Sequence, residues 1–264
     1  MPVAVRSFRY PFRLCHYSAP ARGGKSKFLK YRGKVSMPES SEEIRAIADK
    51  LYDGREQPGS VRRSLELLGE AADDYGALWR LSRAHFFLGQ EARDREEARS
   101  HHLAGVDAGR RAVRVSGAAV EGRFWLGVNL ALLAQLEKPL SAIRAALGAR
   151  RELKRAAEID PAYHAAGPLR VLARLESKLP RILGGGKNRA RAHFEEAMRL
   201  APSNTVTRIY FAELLLECGD AERARAELEA LLSVPFDPAW AFEIKRDRER
   251  AGELVHRLID SMNQ

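Results

Sequence analysis

One spacing recurs along the chain and restricts what it can fold into. Ala190, Phe194, Ala197 and Pro202 follow one another as Ala-x3-Phe-x2-Ala-x4-Pro. The spacing returns at Ala149, Leu153, Ala156 and Pro161, and again at Ala224, Leu228 and Leu231, where Pro235 stands one residue early. Positions three and four apart share one face of a helix. Small residues on either side of a large one let a neighbouring helix come close, with the large side chain in the groove and the proline ending the helix. From Ala190 to Ala224 is 34 residues and from Ala149 to Ala190 is 41, so the earlier unit carries an insertion. A period of this length is the mark of stacked helix pairs.

The second-helix spacing and the 34-residue step are those of the tetratricopeptide repeat. First helices match it through Leu126-Gly127 with Leu130 and, more loosely, Phe211-Ala212 with Leu215; Gly219-Asp220 is a tight turn before Ala224. Upstream, Ile44–Leu51 with Ser64–Ala71 form a first pair, and Ala77–Leu88 starts a second whose partner runs to Val115. The expected fold is all-α: a right-handed superhelix of about five tetratricopeptide-like helix pairs, closed by a C-terminal capping helix. The expected organisation is a basic leader over residues 1–37, the repeat body over 38–237 and the cap over 238–264. The longest apolar run, Trp125–Leu136, has twelve residues, short of a membrane span and suited to a buried helix.

The formal charge of +10 points to nucleic acid until it is located. Residues 1–36 hold nine Lys and Arg and no acid, leaving 36 basic against 35 acidic residues in the rest. The leader has no repeating apolar pattern and is broken by Pro2, Pro11, Pro20, Gly23 and Gly24. Disorder is expected there. Three readings compete: translation from upstream of a true start at Met37, an organelle transit segment, or a basic arm for nucleic acid or an anionic membrane. The first is favoured because no targeting pattern is present. A secretory signal fits poorly for want of an apolar core segment, and Phe12-Arg13-Leu14 before Cys15 is no lipoprotein cleavage site. The two cysteines, Cys15 and Cys218, build no disulfide framework or zinc site.

Gly184-Gly185-Gly186-Lys187 resembles the end of a phosphate-binding loop. That motif, G-x-x-x-x-G-K-[ST], needs glycine at position 181 and a hydroxyl after the lysine; the chain has Arg181 and Asn188. A strand should lead into the loop, yet Arg170–Leu179 has helical spacing. The glycines read instead as the elbow between two helices of the enlarged unit.

Over Gly122–Leu232 the chain resembles the tetratricopeptide T component associated with some TRAP transporters. The resemblance rests on FWLGVNLALLA (Phe124–Ala134), DPAYHAAGPLRVLARLESKLP (Asp160–Pro180), GGGKNRARAHFEEAMRLAP (Gly184–Pro202) and RIYFAELLLECGD (Arg208–Asp220). It implies a binding protein without enzymatic activity or cofactor. It also implies a ring-like trimer with a central pore, paired with a substrate-binding protein in the periplasm. The absence of an export or lipid-anchor signal favours the cytoplasm from the residues alone.

Residues for chemistry are sparse. His101 with Glu97 one turn before it gives two metal ligands, short of a site. First-helix positions would line the concave face that such stacks use for binding. By repeat spacing that face holds Arg80, Phe87, Phe124, Val128, Arg170, Arg174, Ile209 and Glu213, and the resemblance places an arginine at Arg170 in the G-P-L-R element. Apolar residues mixed with arginines suit an acidic or extended peptide, or an amphiphilic anion. Asn129, one turn beyond Trp125, either fixes packing or faces a pore. The function expected is a scaffold that binds a protein partner through its concave face, as a monomer or homo-oligomer. The alternative is binding of nucleic acid or an anionic membrane by the leader.

Overall fold

Ser40 opens the first helix: its side chain accepts the Glu43 amide at 3.2 Å, satisfying one of the amides that every helix start leaves open. The computed structural model describes residues 40–71 and 73–262; the leader and its competing readings lie outside them. Eleven α-helices follow among the described residues. They are α1 (Ser41–Asp53), α2 (Ser60–Gly69), α3 (Tyr75–Gln90), α4 (Arg95–Val115), α5 (Val120–Leu136), α6 (Pro139–Ile159), α7 (Tyr163–Lys178), α8 (Lys187–Leu200), α9 (Thr205–Glu217), α10 (Ala221–Leu232) and α11 (Ala241–Met262). Asp74, Asp94, Asn204 and Asp220 cap α3, α4, α9 and α10 in the same way as Ser40, and Pro139 begins α6 where its missing N–H costs nothing.

The helices pack in sequential pairs, α1 on α2 through α9 on α10. The recurring spacing is the reason. Ala149, Leu153, Ala156, Ala190, Phe194, Ala197, Ala224, Leu228 and Leu231 are all fully buried, each large one contributing on the order of 1.5–3 kcal/mol of burial. α5 lies at the centre, packed against α3, α4, α6 and α7. It is buried on nearly all sides from Val120 to Leu133, which accounts for its lack of a polar stripe.

The glycine elbow spends its amides on the elbow itself and on the end of α7. Gly184 donates to the Arg181 carbonyl at 3.0 Å, Gly185 to Pro180 at 3.1 Å and Gly186 to Glu176 at 2.9 Å. A phosphate would find these donors occupied. Gly184 and Gly186 have φ of +83° and +151°, and a Cβ on Gly185 would lie 1.8 Å from the Leu179 oxygen. Lys187 reaches back to the Glu217 carbonyl.

Two features go beyond the repeat pattern. His164, Ala165 and Ala166 at the start of α7 have φ of 51°, 52° and 57°. Three consecutive non-glycine residues are thus left-handed, at a cost of about 1–2 kcal/mol each. Right-handed helix resumes at Gly167-Pro168, so Pro168 occupies the start of a helix despite lying inside the span of α7. The second feature is α11, which packs on α9 and α10 as a cap would. Its leading segment, beginning with the 3-10 turn Pro238–Trp240, also crosses back to the first pairs. Arg55 donates to Glu243 at 2.7 Å, and the Phe242 ring lies 5.6 Å from that of Phe87.

Candidate functional site: a cavity on the first-helix face

That crossing turns the concave face into a cavity of about 360 Å³. Its walls come from the odd-numbered helices: Arg83, Phe86 and Phe87 of α3, Phe124, Trp125, Val128 and Leu132 of α5, His164, Arg170 and Arg174 of α7, and Tyr210 of α9. Trp240, Phe242, Glu243 and Arg246 close it from the C-terminal side. The Trp240 and His164 rings are 5.0 Å apart, so the left-handed turn and the closing segment meet at the cavity edge.

Five arginines and three acids line the space. Four of the arginines have a carboxylate: Arg55 meets Glu243 at 2.7 Å, Arg83 meets Asp49 at 2.6 Å, Arg174 meets Glu213 at 2.7 Å and Arg246 meets Asp247 at 3.4 Å. Arg170 differs. It is only 4% exposed, and it donates to the Ala165 carbonyl at 2.7 Å, the Asn204 side-chain oxygen at 3.3 Å and the His164 carbonyl at 3.5 Å. Its hydrogen-bond partners among the described residues are neutral. Burial draws its guanidinium down to about 10, against the pull of Tyr210, Asp247 and Glu243. Burial likewise pushes the His164 imidazole down to about 3, with Arg170, Arg83 and Arg55 adding to the effect. The residues around the cavity therefore present a buried cation beside a neutral imidazole and aromatic rings.

The sequence-derived residues divide. Phe124, Val128, Arg170 and Arg174 line the cavity, as does Phe87. Arg80 lies outside the lining: it grips Asp49 through Nε and Nη2 at 2.9 and 2.7 Å and stacks over Trp79. Glu213 sits behind Arg174 as its counter-ion and also meets Arg250 at 3.5 Å. Ile209 belongs to the core around Phe194 and Phe211. Asn129 is fully buried and ties helices together: its amide donates to Ser82 O at 2.9 Å and Trp125 O at 3.0 Å, and its oxygen lies 3.1 Å from His102 Nδ1. His164, Trp240, Phe242 and Arg246 were not among the residues singled out. A His and a Trp at unrelated positions carry no spacing signal, and the contact between them is made by a long-range crossing.

His101 pairs with His85, their Nδ1 atoms 3.2 Å apart, while Glu97 is engaged by the Arg93 amide and Arg62. No group of three or more His, Cys, Asp or Glu side chains among the described residues is placed to hold a metal. No described helix is long and apolar enough to cross a membrane.

Fold and cavity together define a helical-repeat protein of the tetratricopeptide type. A thermophilic TPR protein of Thermus thermophilus has a similar structure, with a TM-score of 0.59 and 20% identity over 79% of this chain and 98% of that one; at that identity the likeness concerns the fold alone. The structure of the MamA protein gives a TM-score of 0.46 and 13% identity over 79% of this chain and 93% of its own. No curated protein matches the chain. The family model described as TRAP transporter T-component matches residues 78–257, and the chain belongs to that family.

Proposed function

We propose that the chain is a non-enzymatic binding component of a TRAP-associated assembly, and that its cavity holds an anionic, partly apolar small ligand. Arg170 carries this reading. A buried guanidinium whose acceptors are all neutral is the group a carboxylate would complete, and hydrogen bonds between charged partners are the strong ones. Phe86, Phe87, Trp125 and Leu132 offer the apolar part of the ligand its surface. A cavity of about 360 Å³ falls in the range of roughly 300–1,000 Å³ usual for small-ligand sites. With the segment Ala239–Arg246 across the face, a small ligand fits better than the extended peptide that an open groove would take. A protein partner then docks on the outside of the repeat body, and the family membership supports a periplasmic setting for both.

The test uses Trp125 and Trp240, which border the cavity. In a Trp79→Phe background, their fluorescence is followed while decanoate or decanol is added. The reading requires saturable quenching by the carboxylate at concentrations at least about tenfold lower than by the alcohol, since charge-assisted hydrogen bonds contribute roughly 1.5–3 kcal/mol. Equal response to both, or none to either, removes it.

A further inference from the structure

α5 has two apolar sides. One lines the cavity; the other, through Leu126, Leu130 and Leu133, floors a groove of about 770 Å³ between α4 and α6. The three leucines follow at i, i+4 and i+7 and so form one stripe, half a turn away from the Phe124–Val128–Leu132 side. The far end of the groove is Glu137. The eleven steps from Leu126 to Glu137, at 1.5 Å each, span about 16 Å, the length of three helical turns. Beside it, Leu140, Ile143 and Leu147 form a stripe on α6 that is 75%, 40% and 41% exposed.

The charge of the rim is one-sided. Arg99, Arg110, Arg114, Arg144 and Arg151 line the groove together with Glu137 and Glu152. Both acids are already engaged: Glu137 by Arg99 at 2.8 Å, Glu152 by Arg123 at 2.8 Å and Arg151 at 3.0 Å. Arg110, Arg114 and Arg144 are exposed and have no acidic partner among the described residues. The floor leucines are themselves buried, 4–6% exposed, so the open apolar surface beside these cations is the α6 stripe, and the combination is complementary to one kind of occupant. We propose that this groove is a docking surface for an acidic amphipathic helix of a partner protein, its leucine-type residues on the exposed Leu140–Ile143–Leu147 stripe of α6 and its carboxylates on Arg110, Arg114 and Arg144. The chain's own leader is excluded by charge, having nine basic residues and no acid in residues 1–36. A nucleic acid would satisfy the arginines and leave the exposed α6 stripe unused. This surface faces away from the cavity, and the inference stands independently of what the cavity holds.

The experiment measures binding to the full chain by fluorescence anisotropy with a labelled 15-residue helical peptide. The peptide has leucine at i, i+4 and i+7 with glutamate on both flanks. Saturable binding is expected. It should weaken at least about tenfold for a scrambled peptide of the same composition, for a lysine-for-glutamate version, and for Arg110→Glu/Arg114→Glu/Arg144→Glu, three surface pairs together contributing about that factor. Leu147→Glu should weaken it too. These positions are exposed, so the variants are expected to fold, which circular dichroism checks. Equal binding of the scrambled peptide, or of the triple variant, overturns the proposal. Displacement of the peptide by an oligonucleotide would make the groove a polyanion site. Self-association of the parent that Leu147→Glu abolishes would make it an interface between copies. Either result replaces the partner helix.

Discussion

At Gly184 and Gly186 the chain turns through positive φ with glycine; at His164–Ala166 it makes a left-handed turn with three side chains that disfavour it. The glycine elbow is held by backbone alone: Gly184 and Gly185 donate within the elbow and Gly186 to the Glu176 carbonyl at the end of α7. The second turn is held from outside. Arg170 donates to the carbonyls of Ala165 and His164, Ala166 is fully buried, and the His164 ring is packed against Phe124, Trp125 and Trp240. Strain of this kind persists only where its surroundings over-determine it, and it collects at binding sites. The contrast separates a connector from a site, and it reverses the emphasis that motif reading alone would give to the glycines.

The contrast can be broken in four ways. The largest effect is expected in acid. His164 has an ordinary pKa of 6.5 that burial pushes down to about 3, so between those values the unfolded chain binds a proton that the folded chain excludes. Its contribution is fully present above pH 6.5 and is lost as the pH falls, by up to about 1.4 kcal/mol per pH unit. His164→Asn lacks that group and keeps a residue tolerant of left-handed backbone. Urea midpoints from pH 7 to pH 4 should fall more steeply for the parent than for this variant; parallel curves would mean that the imidazole is not shielded.

Gly185→Ala comes next. Its Cβ would strike the Leu179 oxygen, so the elbow must open, at about 3 kcal/mol. An unchanged melting temperature would show that the elbow is loose. Smaller, and of opposite sign, are two exchanges. Gly184→Ala places a Cβ at φ +83° and should cost about 1 kcal/mol, whereas Ala165→Gly should raise stability by about 0.5–1 kcal/mol as strain is relieved. Destabilisation by Ala165→Gly would deny that the turn stores strain. Lys187→Ala removes only an exposed tie to the Glu217 carbonyl and should stay within about 0.5 kcal/mol of the parent, with no nucleotide affinity to lose.

The repeat body was legible because close helix packing demands small residues at fixed places. Ala149, Ala190 and Ala224 are fully buried for that reason, and periodicity placed them. The apolar run Trp125–Leu136 was legible as buried because no polar face interrupts it. The cavity lining was legible only where it follows the repeat register, at Phe87, Phe124, Val128, Arg170 and Arg174. The left-handed turn was not, since alanine is the strongest right-handed helix former and nothing local in His164-Ala165-Ala166 marks the exception. The closing segment was hidden for another reason. Arg55 and Glu243 are 188 residues apart, and a contact at that separation leaves no trace in any local pattern. Arg80 and Glu213 share the register of the lining residues but are drawn aside by their own ion pairs with Asp49 and Arg174.

The central claim is that Arg170, which among the described residues is the one cavity arginine to meet only neutral acceptors, is the seat of a carboxylate. Isothermal titration of decanoate into the parent, Arg170→Met and Arg174→Met tests it most directly. The account predicts that Arg170→Met weakens binding by about 10- to 100-fold, the loss of a charge-assisted contact, while Arg174→Met, whose charge is matched by Glu213, weakens it far less. Parental affinity in Arg170→Met, or an equal loss in both variants, would contradict it.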